Sequence, residues 1–420
     1  MHLRRRALIG ILNKKRALYP LVGILGIRQS GKSTILRDLI GDQEKLSYFT
    51  LDRPEILKTL RAQPESFLRT ESNNFEKPII IDEAQKAPPL FDVLKVLADE
   101  KRQRGMVLLA GSVDFAKAHG VREVLTGRIG ISRLYPFTLG ELRGDVSATG
   151  AVDLNQWDLT ESLDLALKYR GSQVDKFNKE IKTYLDRGGM PTICRIGDKS
   201  ERELVINDLL DALCYRDLMQ LKGARYEGAI ARELLSLIAR HPTYSRADLA
   251  REMGEDARTI DKHIRGLEAL FALHRVGSYS SGSRDDRFVV WDAAICRYLG
   301  GEEKTCLLSL MINQIKAEFE YRGASAPKLS FYASRGVTKI DLVVSPQIIG
   351  EAENGQGALS VPIVVNNTAD ISPSIIKSIN ALVERGHFSQ VYVAAPILQG
   401  YSVNEVIKVI PHWSLGFPEL

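Results

Sequence analysis

The sequence predicts a multidomain α/β protein whose first domain is built on a parallel sheet. Three observations carry that expectation. At 420 residues the chain is too long for one ordinary core, so two to four domains are expected. From Gly23 to about Leu142, short apolar runs alternate with stretches of helical spacing, the pattern of a parallel sheet covered by helices on both faces. Between one such run and one such helix stands the glycine-rich segment Gly26-Ile27-Arg28-Gln29-Ser30-Gly31-Lys32-Ser33.

The elements follow in order. The basic start, Met1 to Arg16, has too short an apolar centre for a signal peptide and reads as an amphipathic helix leading into the first strand. Leu21–Leu25 is a buried-strand run, and Thr34–Ile40 has helical spacing. The segment between them fits G-x-x-x-x-G-K-[ST] at every fixed position. Gly26 and Gly31 let the backbone curl so that N–H groups and a helix N-terminus point at phosphates. Lys32 supplies a point charge for the terminal phosphates, and Ser33 a hydroxyl for Mg²⁺. The nucleotide-contacting set is therefore Gly26, Arg28, Gln29, Ser30, Gly31, Lys32, Ser33 and Thr34, with ATP and Mg²⁺ as the expected cofactors.

Further strands are expected at Leu46–Leu51, Ile79–Ile81 and Met106–Ala110. The second ends in two carboxylates, Pro78-Ile79-Ile80-Ile81-Asp82-Glu83. After a phosphate loop, an apolar strand ending this way places Asp82 to hold Mg²⁺ through water and Glu83 to polarise the attacking water. Residues 143–150 read as a boundary loop, and residues 157–222 as mostly helical. The expected domains are residues 1–145, 146–226, 227–300 and 301–420.

Within the third, Ala231–Arg240 is amphipathic, and Ser245–Gly254 offers a capped short helix closing on glycine. Ala257–Leu267 follows with Ile260, Ile264 and Leu267 on one face and Arg258, Lys262 and Arg265 on the other. With a strand at Phe288–Trp291 after a polar turn at residues 280–286, the segment resembles a winged helix. Its basic face could meet double-stranded DNA or serve only as a packing surface, and both readings stay open. The last segment has a helix bearing Glu318 and strands at Lys339–Val344, Val361–Val365 and Gln390–Ala395.

Composition excludes several classes. Cys194, Cys214, Cys296 and Cys306 lack the spacing of a zinc site or disulfide framework, so a reducing cytoplasm is expected. No apolar run approaches bilayer length, so no membrane partner is expected. Residues 1–150 carry 25 Lys+Arg against 17 Asp+Glu while the remainder is net −3, so the basic excess lies in the nucleotide half.

The segments Gly26–Thr34, Ile81-Asp82-Glu83-Ala84-Gln85, Leu109–Ser112, and Leu125–Arg128 through Leu134–Phe137 to Glu141 resemble the prokaryotic AAA+-type ATP-binding proteins with Arg-Gln in the phosphate loop. Tyr184–Pro191 and Tyr215–Leu218 resemble the uncharacterised C-terminal region that accompanies that ATPase. The resemblance implies an AAA+-like sheet domain, a polar sensor at Ser112, and an arginine finger or trans-acting sensor at Arg128. The alternative for Arg128 is a structural ion pair. In relatives the last segment resembles a restriction-endonuclease-like fold with an acidic helix residue, a strand Asp and a Glu-x-Lys pair. Here Glu318 and Asp341 would take the first two places, but Val364 and Asn366 stand where the pair belongs. A hard Mg²⁺ needs oxygen ligands and valine has none, so a nuclease-like fold without nuclease chemistry is expected. Glu351 and Glu353 are the remaining carboxylates that could migrate into the role.

Together these readings describe an Mg²⁺-dependent ATPase, with Lys32, Glu83, Arg128 and Ser112 as catalytic groups and Ser33 and Asp82 on the metal. Hydrolysis would serve as a conformational switch coupled to DNA, a protein partner or a homo-oligomer. Two alternatives stand beside it: a nucleotide-dependent DNA-binding regulator that barely hydrolyses, and a defence-type nucleic-acid-processing effector.

Overall fold

The computed structural model describes residues 6–40, 47–114, 125–144, 159–221, 225–279, 286–334, 337–346 and 360–416. Its first sheet has five parallel strands, β1 (Leu21–Leu25), β2 (Ser47–Thr50), β3 (Ile79–Asp82), β4 (Val107–Gly111) and β5 (Ile129–Arg133), in the order β2-β3-β4-β1-β5. The central strands β3, β4 and β1 are buried along their whole length because both faces are covered, and Asp82 at the end of β3 is their one charged residue. Leu21, Leu25, Ile79, Ile81, Val107 and Leu109 face the helix Pro89–Lys101, burying Leu90, Leu94 and Leu97 there. The alternate residues Val22, Ile24, Ile80, Leu108 and Ala110 face the helices Ile9–Leu18 and Lys32–Ile40. The expected strands are present to within one or two residues. β5 was not anticipated: Ile-Gly-Ile-Ser-Arg is half-buried in alternation, and Gly130 leaves room for Tyr19 and Lys15, which a Cβ would meet at 2.8 and 3.0 Å.

Helices Leu159–Lys168, Val174–Arg187 and Lys199–Asp211 follow, the last running into a π-helical turn over Ala212–Asp217. Three more helices, Gly228–Arg240, Arg246–Met253 and Ala257–Ala269, precede an antiparallel hairpin of β6 (Leu273–Ser278) and β7 (Arg287–Val290). The middle helix has the anticipated start and stop: Ser245 and Asp248 form a reciprocal capping box, and Gly254 ends it at φ 65°. Most of the polar turn between β6 and β7 lies outside the described residues.

The last part holds β8 (Lys328–Ser334), β9 (Val337–Ser345), β10 (Val361–Val365), β11 (Val391–Ala395), β12 (Tyr401–Ser402) and β13 (Ile407–Pro411). It does not form a separate sheet. Parallel pairing of β6 with β8 joins the hairpin to it, giving one eight-stranded sheet in the order β12-β13-β11-β10-β9-β8-β6-β7.

The helix Glu303–Arg322 spans the molecule, and this corrects one expectation. Its N-terminal Lys304 pairs with Asp341 at 2.9 Å, whereas Ala317 and Tyr321 near its other end pack in the core of the first sheet. Glu318 lies fourteen residues beyond Lys304, about 21 Å along the axis, and pairs with Arg322 at 2.9 Å. Glu318 and Asp341 therefore do not form one site. The Asp341 Oδ2 accepts from the Val365 N–H at 2.9 Å, Val364 is buried among apolar neighbours, and the Asn366 amide turns to the Thr368 carbonyl at 2.7 Å. Glu351 and Glu353 lie outside the described residues. Among the described residues no group of three or more His, Cys, Asp or Glu is placed to hold a metal, and no helix is long and apolar enough to cross a membrane.

Candidate functional site

The phosphate-loop residues gather at the C-terminal edge of the first sheet, where β1 gives way to the helix Lys32–Ile40. Gly26 is required by close approach: a Cβ there would lie 2.4 Å from the Leu134 carbonyl oxygen. Gly31 sits at φ 98°, where a side chain is strained. Gln29 takes φ 63° without being glycine, and its side-chain oxygen accepts from the Thr192 hydroxyl at 3.2 Å. Ser30 is fully buried and its Oγ has no partner in the structure. Thr34 is exposed in the first turn of the helix.

Lys32 is 5 % exposed and folds back over the loop, donating to the carbonyls of Gly26 at 2.9 Å and Ile27 at 3.0 Å. Burial lowers its pKa, while Glu83, Asp82 and Asp217 act in the opposite direction. A buried ammonium held only by neutral carbonyls is poised for an anion.

Three strands bring the remaining groups to this edge. Ser33 Oγ donates to Asp82 Oδ2 at 2.5 Å, so the two expected magnesium ligands are already in contact. The Tyr48 hydroxyl, at 2.6 Å, shares the same carboxylate oxygen. Burial and the hydrogen bond to Asp82 raise the phenol's pKa. Glu83 follows β3 in the left-handed region at φ 58°, an uncommon backbone position for glutamate. Its Oε2 accepts from Ser112 Oγ at 2.7 Å and from the Gln85 amide, and Gln85 also reaches Ser112 Oγ at 3.2 Å. Ser112, the residue after β4, thus sits beside Glu83.

Sequence reasoning missed Tyr48, Gln85 and Asp217 as members of this site. Gln85 was visible only as part of the Asp-Glu-Ala-Gln run. Asp217 carried a weaker signal, the Tyr215–Leu218 motif. It arrives from the helical region: its Oδ1 accepts from Arg28 Nη1 at 3.3 Å and Arg216 Nε at 3.1 Å, while Oδ2 is buried without a partner. Arg28, Glu83, Ser112, Asp217, Arg265 and Arg275 all line one cleft of about 770 Å³.

Arg128 is not brought to this site. It precedes β5 at the N-terminal edge of the sheet, a five-residue strand or about 16 Å from the loop edge, and its guanidinium forks onto Asp99 at 2.6 and 2.8 Å. The basic helix face is also less basic than its spacing suggested. Asp261 lies among Arg258, Lys262 and Arg265, pairing with Arg265 and lying 3.6 Å from Arg246.

The segment Gly188–Thr192 packs over the loop, and its geometry is fixed from the far side. Gly188 stands at φ 66°, and a Cβ there would lie 2.2 Å from the Asp292 carboxylate. The fully buried Asp292 caps the helix Ala293–Tyr298 through the N–H groups of Ala294 and Ile295, and accepts from Gly189 at 2.8 Å and from Met190.

Residues 19–143 match the model of the AAA domain family, and residues 178–305 match a domain of unknown function. Among curated proteins, uncharacterized proteins of Mycobacterium bovis and Mycobacterium tuberculosis are each 27% identical over 257 residues, 60% of this chain and 49% of the relative. The chain thus spans about half the length of the curated relatives it matches. Among solved structures, a Walker-type ATPase of Pyrococcus abyssi aligns at 15% identity with TM-score 0.43, covering 71% of this chain and 96% of that one. AMPPCP-bound DnaA from Aquifex aeolicus aligns at 16% identity and TM-score 0.24, covering 62% and 85%. The phosphate loop, Asp82, Glu83 and Ser112 all lie within residues 19–143, the part of the chain that is similar to AAA domains.

Proposed function

We propose that this protein binds ATP with Mg²⁺ and hydrolyses it, using the cycle as a conformational switch coupled to DNA or a protein partner. The observation that carries this reading is the meeting, at one sheet edge, of Lys32 on its carbonyl perch, the Ser33–Asp82 pair and the Ser112-held Glu83. The buried, partnerless Ser30 Oγ and the Cβ-free curl at Gly26 and Gly31 fit a polyphosphate. Ser33 and Asp82 would hold Mg²⁺, which supplies charge neutralisation at the phosphates. Lys32 exchanges its carbonyl partners for phosphate oxygens. Glu83 takes the proton side of the attacking water, and Ser112 and Gln85 fix the direction of its carboxylate. Arg128, paired with Asp99 at the opposite edge, would act only from a neighbouring copy.

Coupling has a physical route in this reading. The Asp114 N–H, two residues beyond Ser112, donates to the Ala269 carbonyl at 2.9 Å, tying the sensor strand to the end of the helix Ala257–Ala269. We read that helix with β6 and β7 as a winged helix whose Arg258 and Lys262 are its outward cations, and the last strands as a nuclease-like fold without a metal centre. The test pairs Lys32→Ala with Glu83→Gln. The first should abolish calorimetric ATP binding, and the second should bind ATP while turnover falls by about 10²-fold or more. Unchanged affinity in Lys32→Ala would refute the phosphate loop, and parent-like turnover in Glu83→Gln would leave a binding switch without this base.

A further inference from the structure

The phosphate loop is engaged by one acidic group whose role in the reaction is unassigned. Arg28 occupies the second variable position of the loop, and its side chain is 28% exposed into the cleft that Glu83 and Ser112 also line. Its acidic partner, Asp217, comes from the π-helical turn Ala212–Asp217. Such turns are rare and reposition side chains at functional sites. Here the turn delivers a carboxylate that is 8% exposed, yet the bond it makes to Arg28 is single and long at 3.3 Å. Its Oδ1 is shared with Arg216, and its Oδ2 is orphaned in the interior. A guanidinium can bind two oxygens in parallel, so this pair uses half of its capacity. Asp217 is also near enough to Lys32 to oppose the lowering that burial imposes on that ammonium.

We infer that Arg28 is a triphosphate-discriminating residue: without a γ-phosphate it rests on Asp217, and with one it turns to the phosphate oxygens and releases the turn at residues 212–217. This rests on the reading that the loop takes ATP. Arg28 then stabilises ATP but not ADP. Asp217 competes with the γ-phosphate for it. The released carboxylate keeps Arg216, so the turn loosens without leaving a bare buried charge, and a second signal enters the helical region beside the Asp114–Ala269 link.

The experiment measures calorimetric affinities of the full chain for Mg²⁺-ADP and for a Mg²⁺-bound non-hydrolysable ATP analogue. Arg28→Ala should lower analogue affinity about tenfold and leave ADP within about twofold, the loss of one charge-assisted contact. Asp217→Asn should raise analogue affinity about fivefold with ADP unchanged. A second readout needs no variant: amide hydrogen exchange across residues 212–220 of the parent should quicken with the analogue and not with ADP. Equal losses for both nucleotides in Arg28→Ala, or identical exchange with both, would overturn the inference while the nucleotide reading survives. No binding of either nucleotide by the parent would remove the nucleotide reading, and this inference with it.

Discussion

Replacing Asp292 by alanine isolates how the segment over the phosphate loop is held. The carboxylate caps one helix through Ala294 and Ile295 and accepts from Gly189 and Met190, so alanine removes a cap and strands two further N–H groups. Losing an Asp cap costs about 1 kcal/mol. Leaving a buried N–H without an acceptor costs about 1–3 kcal/mol each. Against this stands a saving, because burial raises the carboxyl's pKa despite those bonds, so its desolvation is not wholly repaid. The net expectation is a loss of about 3–5 kcal/mol, seen as a fall of about 1 M or more in urea midpoint by circular dichroism at neutral pH. Asp292→Asn keeps one acceptor and turns an NH₂ toward the other pair of donors, so it should lose roughly half as much. ATP affinity of the alanine variant should fall as well, because Thr192 braces Gln29. An unchanged midpoint in Asp292→Ala would refute the clamp, and asparagine as damaging as alanine would refute the donor count.

Other outcomes follow from the same structure. Replacing Arg258, Lys262 and Arg265 together by alanine should flatten the salt dependence of DNA affinity by about 1.8 in log–log slope, two contacts' worth. Arg265 is set aside because it pairs with Asp261; an unchanged slope would leave the helix as a packing element. His263, His274 and His412 are all pushed below the ordinary histidine pKa, burial being the largest cause for each. Below about pH 6.5 the unfolded chain binds protons that the folded chain refuses, so stability should decline as pH falls, by up to about 1.4 kcal/mol per pH unit for each histidine. Denaturation midpoints at pH 7, 6 and 5 would test this, and His274→Gln should shallow the decline by one histidine's share. Finally, plasmid, linear DNA and RNA incubated with the parent and Mg²⁺ or Mn²⁺ should remain intact. Cleavage lost in Asp341→Ala would refute the absence of nuclease chemistry.

The first sheet was legible because its central strands are buried on both faces, which writes unbroken apolar runs such as Ile79–Ile81 into the chain. β5 escaped for the opposite reason: it is an edge strand with a glycine at its second position and only alternate residues buried. In the site, Lys32, Ser33, Asp82 and Glu83 are fixed by local spacing to one loop and one strand end, and that spacing is visible in the sequence. Asp217 and Thr192 reach the loop from 163 or more residues away, and nothing local records a contact of that kind. Glu318 misled for a related reason. A twenty-residue helix has two ends in different surroundings, and periodicity does not say which end meets Asp341.

The β6–β8 pairing bears on how this chain could be divided. Cutting near residue 300 would look natural in the sequence, yet it would strip β8 from the edge of β6 and leave Gly277 and Ser278 with open N–H and C=O groups. A fragment ending there would tend to recruit a foreign strand and precipitate, and one beginning there would carry the complementary raw edge on β8. The hairpin and the C-terminal strands thus share one continuous hydrogen-bonded sheet, with β7 at one margin and β12, where Tyr401 lies 43% exposed, at the other.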